Sequence, residues 1–137
     1  MLNVLSNTRR LRDRFQYWFF FYDSSNAIPF SGMRLRQTLS KVVERLDPSG
    51  SDPALREMVV VGHSQGGLLT RLTGMTSGDR FWEIISARPI DELVVSDATR
   101  DLLRQAFFFE PLPFVRRLIF IATPHRGTRA AEHPWST

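Results

Sequence analysis

Cysteine is absent from the 137 residues. Disulfide cross-links, thiolate nucleophiles and cysteine-based metal sites are excluded with it. A reducing compartment fits this absence but is not required by it. Lysine is nearly absent as well: Lys41 is the only one, and arginine carries the rest of the positive charge. No apolar run reaches the roughly eighteen residues that a membrane-spanning helix needs. Met1 is not followed by a basic region and an apolar core, so no signal-peptide pattern is visible. The cytoplasm is then the default compartment, and a start upstream of Met1 would reopen the periplasm or a membrane association.

The formal net charge is +4. A basic balance raises the question of an anionic partner such as nucleic acid. The arginines are spread along the whole chain, however, with one cluster at Arg9, Arg10, Arg12 and Arg14. That distribution reads as a solvated surface, and no nucleic-acid partner is expected. Hydrophobic residues make up 42% of the chain, eleven of them Phe. This is enough apolar material for one packed domain, and the length does not suit two.

The order of elements points to an α/β fold. Residues 2 to 15 read as a short helix, with Val4, Leu5, Leu11 and Phe15 on one face. The run Tyr17-Trp18-Phe19-Phe20-Phe21-Tyr22 reads as a strand buried on both faces, because it shows no alternation. Asp23-Ser24-Ser25-Asn26 and Pro29 end it. Leu35, Leu39, Val42, Val43 and Leu46 recur at helical spacing over 32 to 46, with Ser31 as N-cap and Pro48 as the stop. Met58-Val59-Val60-Val61 is a short buried strand, and a helix is expected from Gly66 to about Met75. Residues 76 to 114 form a longer connection, with aromatics at Phe81 and Trp82 and a helix from about Asp97 to Phe107 capped by Ser96. A third strand follows at Leu118-Ile119-Phe120-Ile121. Strands and helices in this alternation imply a parallel sheet with right-handed crossovers.

The chemistry concentrates at Gly62-His63-Ser64-Gln65-Gly66. Gly-x-Ser-x-Gly alone arises by chance in roughly one chain in twenty of this length, so its context decides. Here a β-branched strand precedes it and an apolar-periodic helix follows it, which is the strand-turn-helix setting that a nucleophilic serine requires. A serine hydroxyl must project clear of the sheet and lose its proton to a base before it attacks. A tight turn provides the projection at the cost of a strained backbone at Ser64. Side chains at Gly62 and Gly66 would collide in such a turn, and Gly67 would let the helix approach the strand. The Gln65 N–H, at the helix start, would hold a developing oxyanion. Gly-x-Gly-x-x-Gly and a P-loop are both missing, so a phosphate-binding turn is the weaker alternative.

The stretch from Met58 to Leu72 resembles the elbow of bacterial α/β-hydrolase lipases and esterases. Leu118-Ile119-Phe120-Ile121-Ala122-Thr123-Pro124-His125-Arg126-Gly127 resembles the strand and loop that follow the elbow helix in lipase-like members. What the resemblance implies is hydrolysis of a carboxylic ester, small-molecule or lipid, through an acyl-enzyme on Ser64, with no cofactor and no metal. The family's sheet usually has about eight strands, its second oxyanion donor follows an upstream strand, and its acid and histidine follow the serine. Three strands are recognisable here. The chain is therefore expected to be a single partial α/β-hydrolase domain over 1–137, the middle of a larger hydrolase, with base and acid outside it. The alternative is a non-catalytic remnant or interaction module of the same fold.

Several residues compete for the remaining roles. His125 is the best internal candidate for the base, since it sits just past a strand end, but a pocket-lining role suits it better. His133 lies in a polar tail. His63 is expected to pack, pointing away from Ser64. Asp97 and Asp101 have the chain order of a triad acid, yet Asp97 is well explained as a first-turn helix charge. Asp23 follows a strand end and could line the cleft. The aromatics of 76 to 114 could form a lipid-facing lid; the topology favours a core role instead, because that segment starts and ends away from the catalytic edge.

Overall fold

A computed structural model describes residues 7–126. The fold is mixed α/β: the described residues form helices and a two-stranded parallel sheet. Strand β1, Met58–His63, lies beside β2, Val115–Ile121, in the register Val59 to Arg117 through His63 to Ile121. The helices are α1 (Arg9–Arg12), α2 (Ile28–Leu46), α3 (Gln65–Arg71), α4 (Arg80–Glu83) and α5 (Asp97–Phe107). Short 3-10 turns occupy Pro53–Arg56 and Ile90–Glu92. No helix among the described residues is long and apolar enough to cross a membrane.

Local chemistry accounts for most boundaries. The β-branched run Val59 to Val61 favours extended backbone and forms the body of β1. Helix α5 begins as expected: the Ser96 hydroxyl accepts from Thr99 N–H at 3.2 Å and satisfies a donor of the first turn. Helix α2 starts earlier than its apolar spacing suggests. Pro29 occupies its first turn, where a fixed φ assists initiation, and Ala27 is the N-cap. Ser31 is thus not a cap. It lies inside the helix, buried, and its hydroxyl has no hydrogen-bond partner among the described residues. The elbow helix is shorter than expected and ends at Arg71, and β2 begins three residues before Leu118.

The core lies between α2 and the connection from 76 to 114. Met33 of α2 packs with Trp82, Ile90, Ala106 and Phe107, and Phe30, Phe81, Leu93, Leu103 and Phe108 surround them. Phe107 is the centre: its ring meets Trp82 edge-on at 5.5 Å, Phe81 at 5.6 Å and Phe30 at 6.1 Å. Burying one such ring contributes about 2–3 kcal/mol. The aromatics of this connection are thus committed to packing and do not form an exposed cover.

The sheet is covered on one face. A Cβ on Gly62 would come within 2.5 Å of Gly66 O and Gly67 Cα, which places that face of β1 directly under α3. Strand side chains alternate in direction, so Val61 and His63 point to the other face, and both are exposed. The expectation that this strand is buried holds for one face only.

The aromatic run from Tyr17 to Tyr22 is not a strand. Its backbone pairs with neither β1 nor β2. Over its last four residues it alternates: Phe20 and Tyr22 are half-buried and stack at 5.9 Å, whereas Phe19 and Phe21 face solvent. Burial on both faces would need neighbouring layers on both sides, and the packing here supplies one. In the 2-to-15 segment, Arg9–Arg12 is helical and Phe15 is exposed. Val4 and Leu5 lie outside the described residues, as do Gly127 and His133.

Candidate active site

Ser64 occupies the junction between β1 and α3 with φ 53° and ψ −126°. Only Ser64 and Ala122 (φ 49°) combine positive φ with a side chain among the described residues. For residues bearing a Cβ this backbone is strained, by about 1–3 kcal/mol. Two hydrogen bonds hold the turn: Ser64 N–H donates to Ile121 O at 2.8 Å, and Gly67 N–H donates to Ser64 O at 3.0 Å. The side chain is left exposed at the C-terminal edge of the sheet.

The glycines around Ser64 are not equivalent. A Cβ on Gly62 would lie 2.4 Å from Thr70 Oγ1 and 2.5 Å from Gly66 O. One on Gly67 would lie 1.8 Å from Thr123 Oγ1. Gly66 differs from expectation: a Cβ there would meet only the Tyr22 hydroxyl, at 3.7 Å, an ordinary contact. The close packing is made by Gly62, which faces α3, and by Gly67, which faces Thr123 in the loop after β2, while Gly66 faces neither.

Gln65 serves the site twice. Its N–H, in the first turn of α3, has no intrahelical acceptor and takes no partner among the described residues. Its side chain donates from Nε2 to Ser24 O at 3.3 Å, tying the loop after the aromatic run to the elbow. In that loop Asp23 accepts from Ser25 Oγ at 2.6 Å and from Ser25 N–H at 2.9 Å. These bonds hold the Asp23 carboxyl below its ordinary pKa. Asp23 thus shapes its own loop.

The loop after β2 reaches the same edge as Ser64, because the parallel register ends both strands together at His63 and Ile121. Ala122, with its positive φ, follows Ile121. Thr123 then seats against Gly67, and its Oγ1 is buried without a hydrogen-bond partner among the described residues. His125 donates its backbone N–H to Thr123 O at 3.0 Å and sets its ring edge-on to Phe120, with centroids 4.7 Å apart. The His125 side chain is exposed, and among the described residues no hydrogen bond joins it to Ser64. His63 does not pack as expected; it is exposed on the uncovered face of the sheet.

Asp97 and Asp101 sit on α5, which packs on α2 and on Ile90–Glu92. Asp97 pairs with Arg100 and Asp101 with Arg104, each at 3.7 Å. Both are helix-surface ion pairs, and neither pairs with a histidine among the described residues. No group of three or more His, Asp or Glu among the described residues is placed to hold a metal ion.

Ala122, Thr123 and Tyr22 are the neighbours of the elbow that sequence reasoning missed. The Thr-Pro-His spacing marked the loop, but which of its residues meets α3 depends on the register of β2 against β1. No protein-family model, curated protein or solved structure matches this chain.

Proposed function

We propose that the chain is a serine hydrolase of the α/β-hydrolase kind that cleaves a carboxylic ester through an acyl-enzyme on Ser64. The observation that carries this reading is the backbone of Ser64, a non-glycine residue at positive φ between a strand and a helix, with its hydroxyl outward. Strain of this kind clusters at functional sites. In the reaction, a base takes the Ser64 proton as Oγ bonds to the ester carbonyl carbon. The carbonyl oxygen becomes an oxyanion facing the Gln65 N–H. The carbonyl re-forms, the C–O bond to the alcohol breaks, and the alcohol leaves with a proton. Water then attacks the acyl-Ser64 ester by the same steps and releases the acid. His125 lines this site. The substrate class is a small-molecule or lipid ester, which needs no cofactor.

The test is covalent labelling of the purified chain by a fluorophosphonate, read by mass spectrometry, with Ser64→Ala as the control. Labelling confined to Ser64 supports the proposal. A folded chain that takes no label at Ser64 leaves the alternative, a non-catalytic module that retains the elbow geometry.

A further inference from the structure

A basic and aromatic surface runs along the segment from Arg9 to Phe21. Arg9, Arg10, Arg12 and Arg14 are exposed, and Asp13 is the only acidic residue among them. None of the four arginines forms an ion pair among the described residues. Directly after them Phe15, Trp18, Phe19 and Phe21 face solvent, Phe19 at 52% and Phe21 at 90% exposure. Phe20 and Tyr22 turn inward and stack on one another. Phe19 and Phe21 alternate with this inward pair and share one side, with the exposed Phe15 and Trp18 preceding them in the chain, and the segment is anchored beyond its C-terminal end by the Gln65–Ser24 hydrogen bond.

Contiguous exposed aromatics are unfavourable in water and mark a contact surface. Their companions define the chemistry of the partner. Arginines are drawn to an anionic lipid surface, and Trp and Phe insert at the boundary between headgroups and acyl chains. We infer that the Arg9–Phe21 segment docks the protein on an anionic phospholipid bilayer, arginines on the headgroups and the outward aromatics in the interface. A polyanion such as nucleic acid would satisfy the arginines, but it gives the four outward rings no apolar phase. This docking does not depend on the chemistry of Ser64.

The experiment is vesicle flotation with the full chain. Vesicles of phosphatidylcholine alone are compared with vesicles carrying about a third phosphatidylglycerol, at low and high salt. Binding is expected to the anionic vesicles only and to weaken with salt. Each surface arginine is worth about a fivefold gain in partitioning. Replacing all four (R9S, R10S, R12S, R14S) should therefore reduce binding by about a hundredfold or more. W18S/F19S/F21S should reduce it as well while leaving the arginines in place. A second measurement keeps the surface intact. In a Trp135→Phe background, brominated lipids should quench Trp18, and the quenching should vanish with Trp18→Phe; Trp82 is buried in the core and shielded. Absence of binding to anionic vesicles, or binding unchanged in both multiple variants, overturns the inference. So does a chain that binds an oligonucleotide by its arginines while Trp18 stays unquenched by lipid, or one whose aromatic face is covered by self-association at the working concentration.

Discussion

A Cβ added to Gly67 would lie 1.8 Å from Oγ1 and 2.6 Å from Cγ2 of Thr123. This contact joins two separated motifs, the elbow and the loop after β2, and fixes the first turn of α3 against the end of the sheet. Gly67→Ala must displace one or the other, and such overpacking costs about 1–3 kcal/mol. Gly66→Ala meets no obstacle and replaces a helical glycine, so it should gain about 0.5–1 kcal/mol. Urea denaturation of the two variants measures the contrast. Equal losses at both positions would mean that Thr123 does not sit where the structure puts it.

Ser64 adopts a conformation that glycine adopts freely. Ser64→Gly relieves the strain, whereas Ser64→Ala removes the hydroxyl and keeps it. The glycine variant should be the more stable by about 1 kcal/mol, after the greater freedom of its unfolded chain is subtracted. Both variants lose fluorophosphonate labelling. Thermal unfolding decides, and an alanine variant as stable as the glycine one would remove strain from the account.

The elbow was legible because its signals are local. A β-branched run, two glycines at fixed spacing and an apolar-periodic helix act within fifteen residues and agree with one another. Helix α5 was legible for the same reason, through Ser96 and the spacing that follows it. The aromatic run was not. Every position from Tyr17 to Tyr22 is aromatic, so composition hides the alternation that places Phe20 and Tyr22 inward and Phe19 and Phe21 outward. The role of Thr123 was equally hidden, since it depends on the parallel register of strands more than fifty residues apart.

His125 is predicted to be dispensable for activating Ser64. Its ring rests on Phe120, and its backbone closes the turn onto Thr123. A general base contributes about 10²–10⁴-fold to rate. His125→Ala should instead change the rate of fluorophosphonate labelling by less than about tenfold, below that range. A loss of a hundredfold or more, with unfolding unchanged, would make His125 the base and complete part of the catalytic set within this chain.

Arg36 is a buried cation with no carboxylate partner among the described residues. It is 6% exposed, donates to Gln105 O at 2.9 Å, stacks its guanidinium 3.6 Å from the Phe109 centroid, and leaves Nη1 unpaired. Burial lowers its pKa to about 10, which expresses a cost of holding the charge in the folded state. Replacement of a buried charge by an apolar residue of similar volume is often neutral or stabilising, so Arg36→Met should stay within about 1 kcal/mol of the parent or exceed it. Arg36→Ala loses the packing over Phe109 as well and should fall by about 2–3 kcal/mol. The sign with pH follows from the lowered value. The cost is fully present below pH 10 and fades above it, as the folded protein gives up the proton that the unfolded chain still holds. Any advantage of Arg36→Met should therefore narrow as pH rises past that value. Urea denaturation at neutral pH and at about one pH unit above that value reads both effects; a methionine variant as unstable as the alanine one would show that the cation–π contact outweighs the desolvation of the guanidinium.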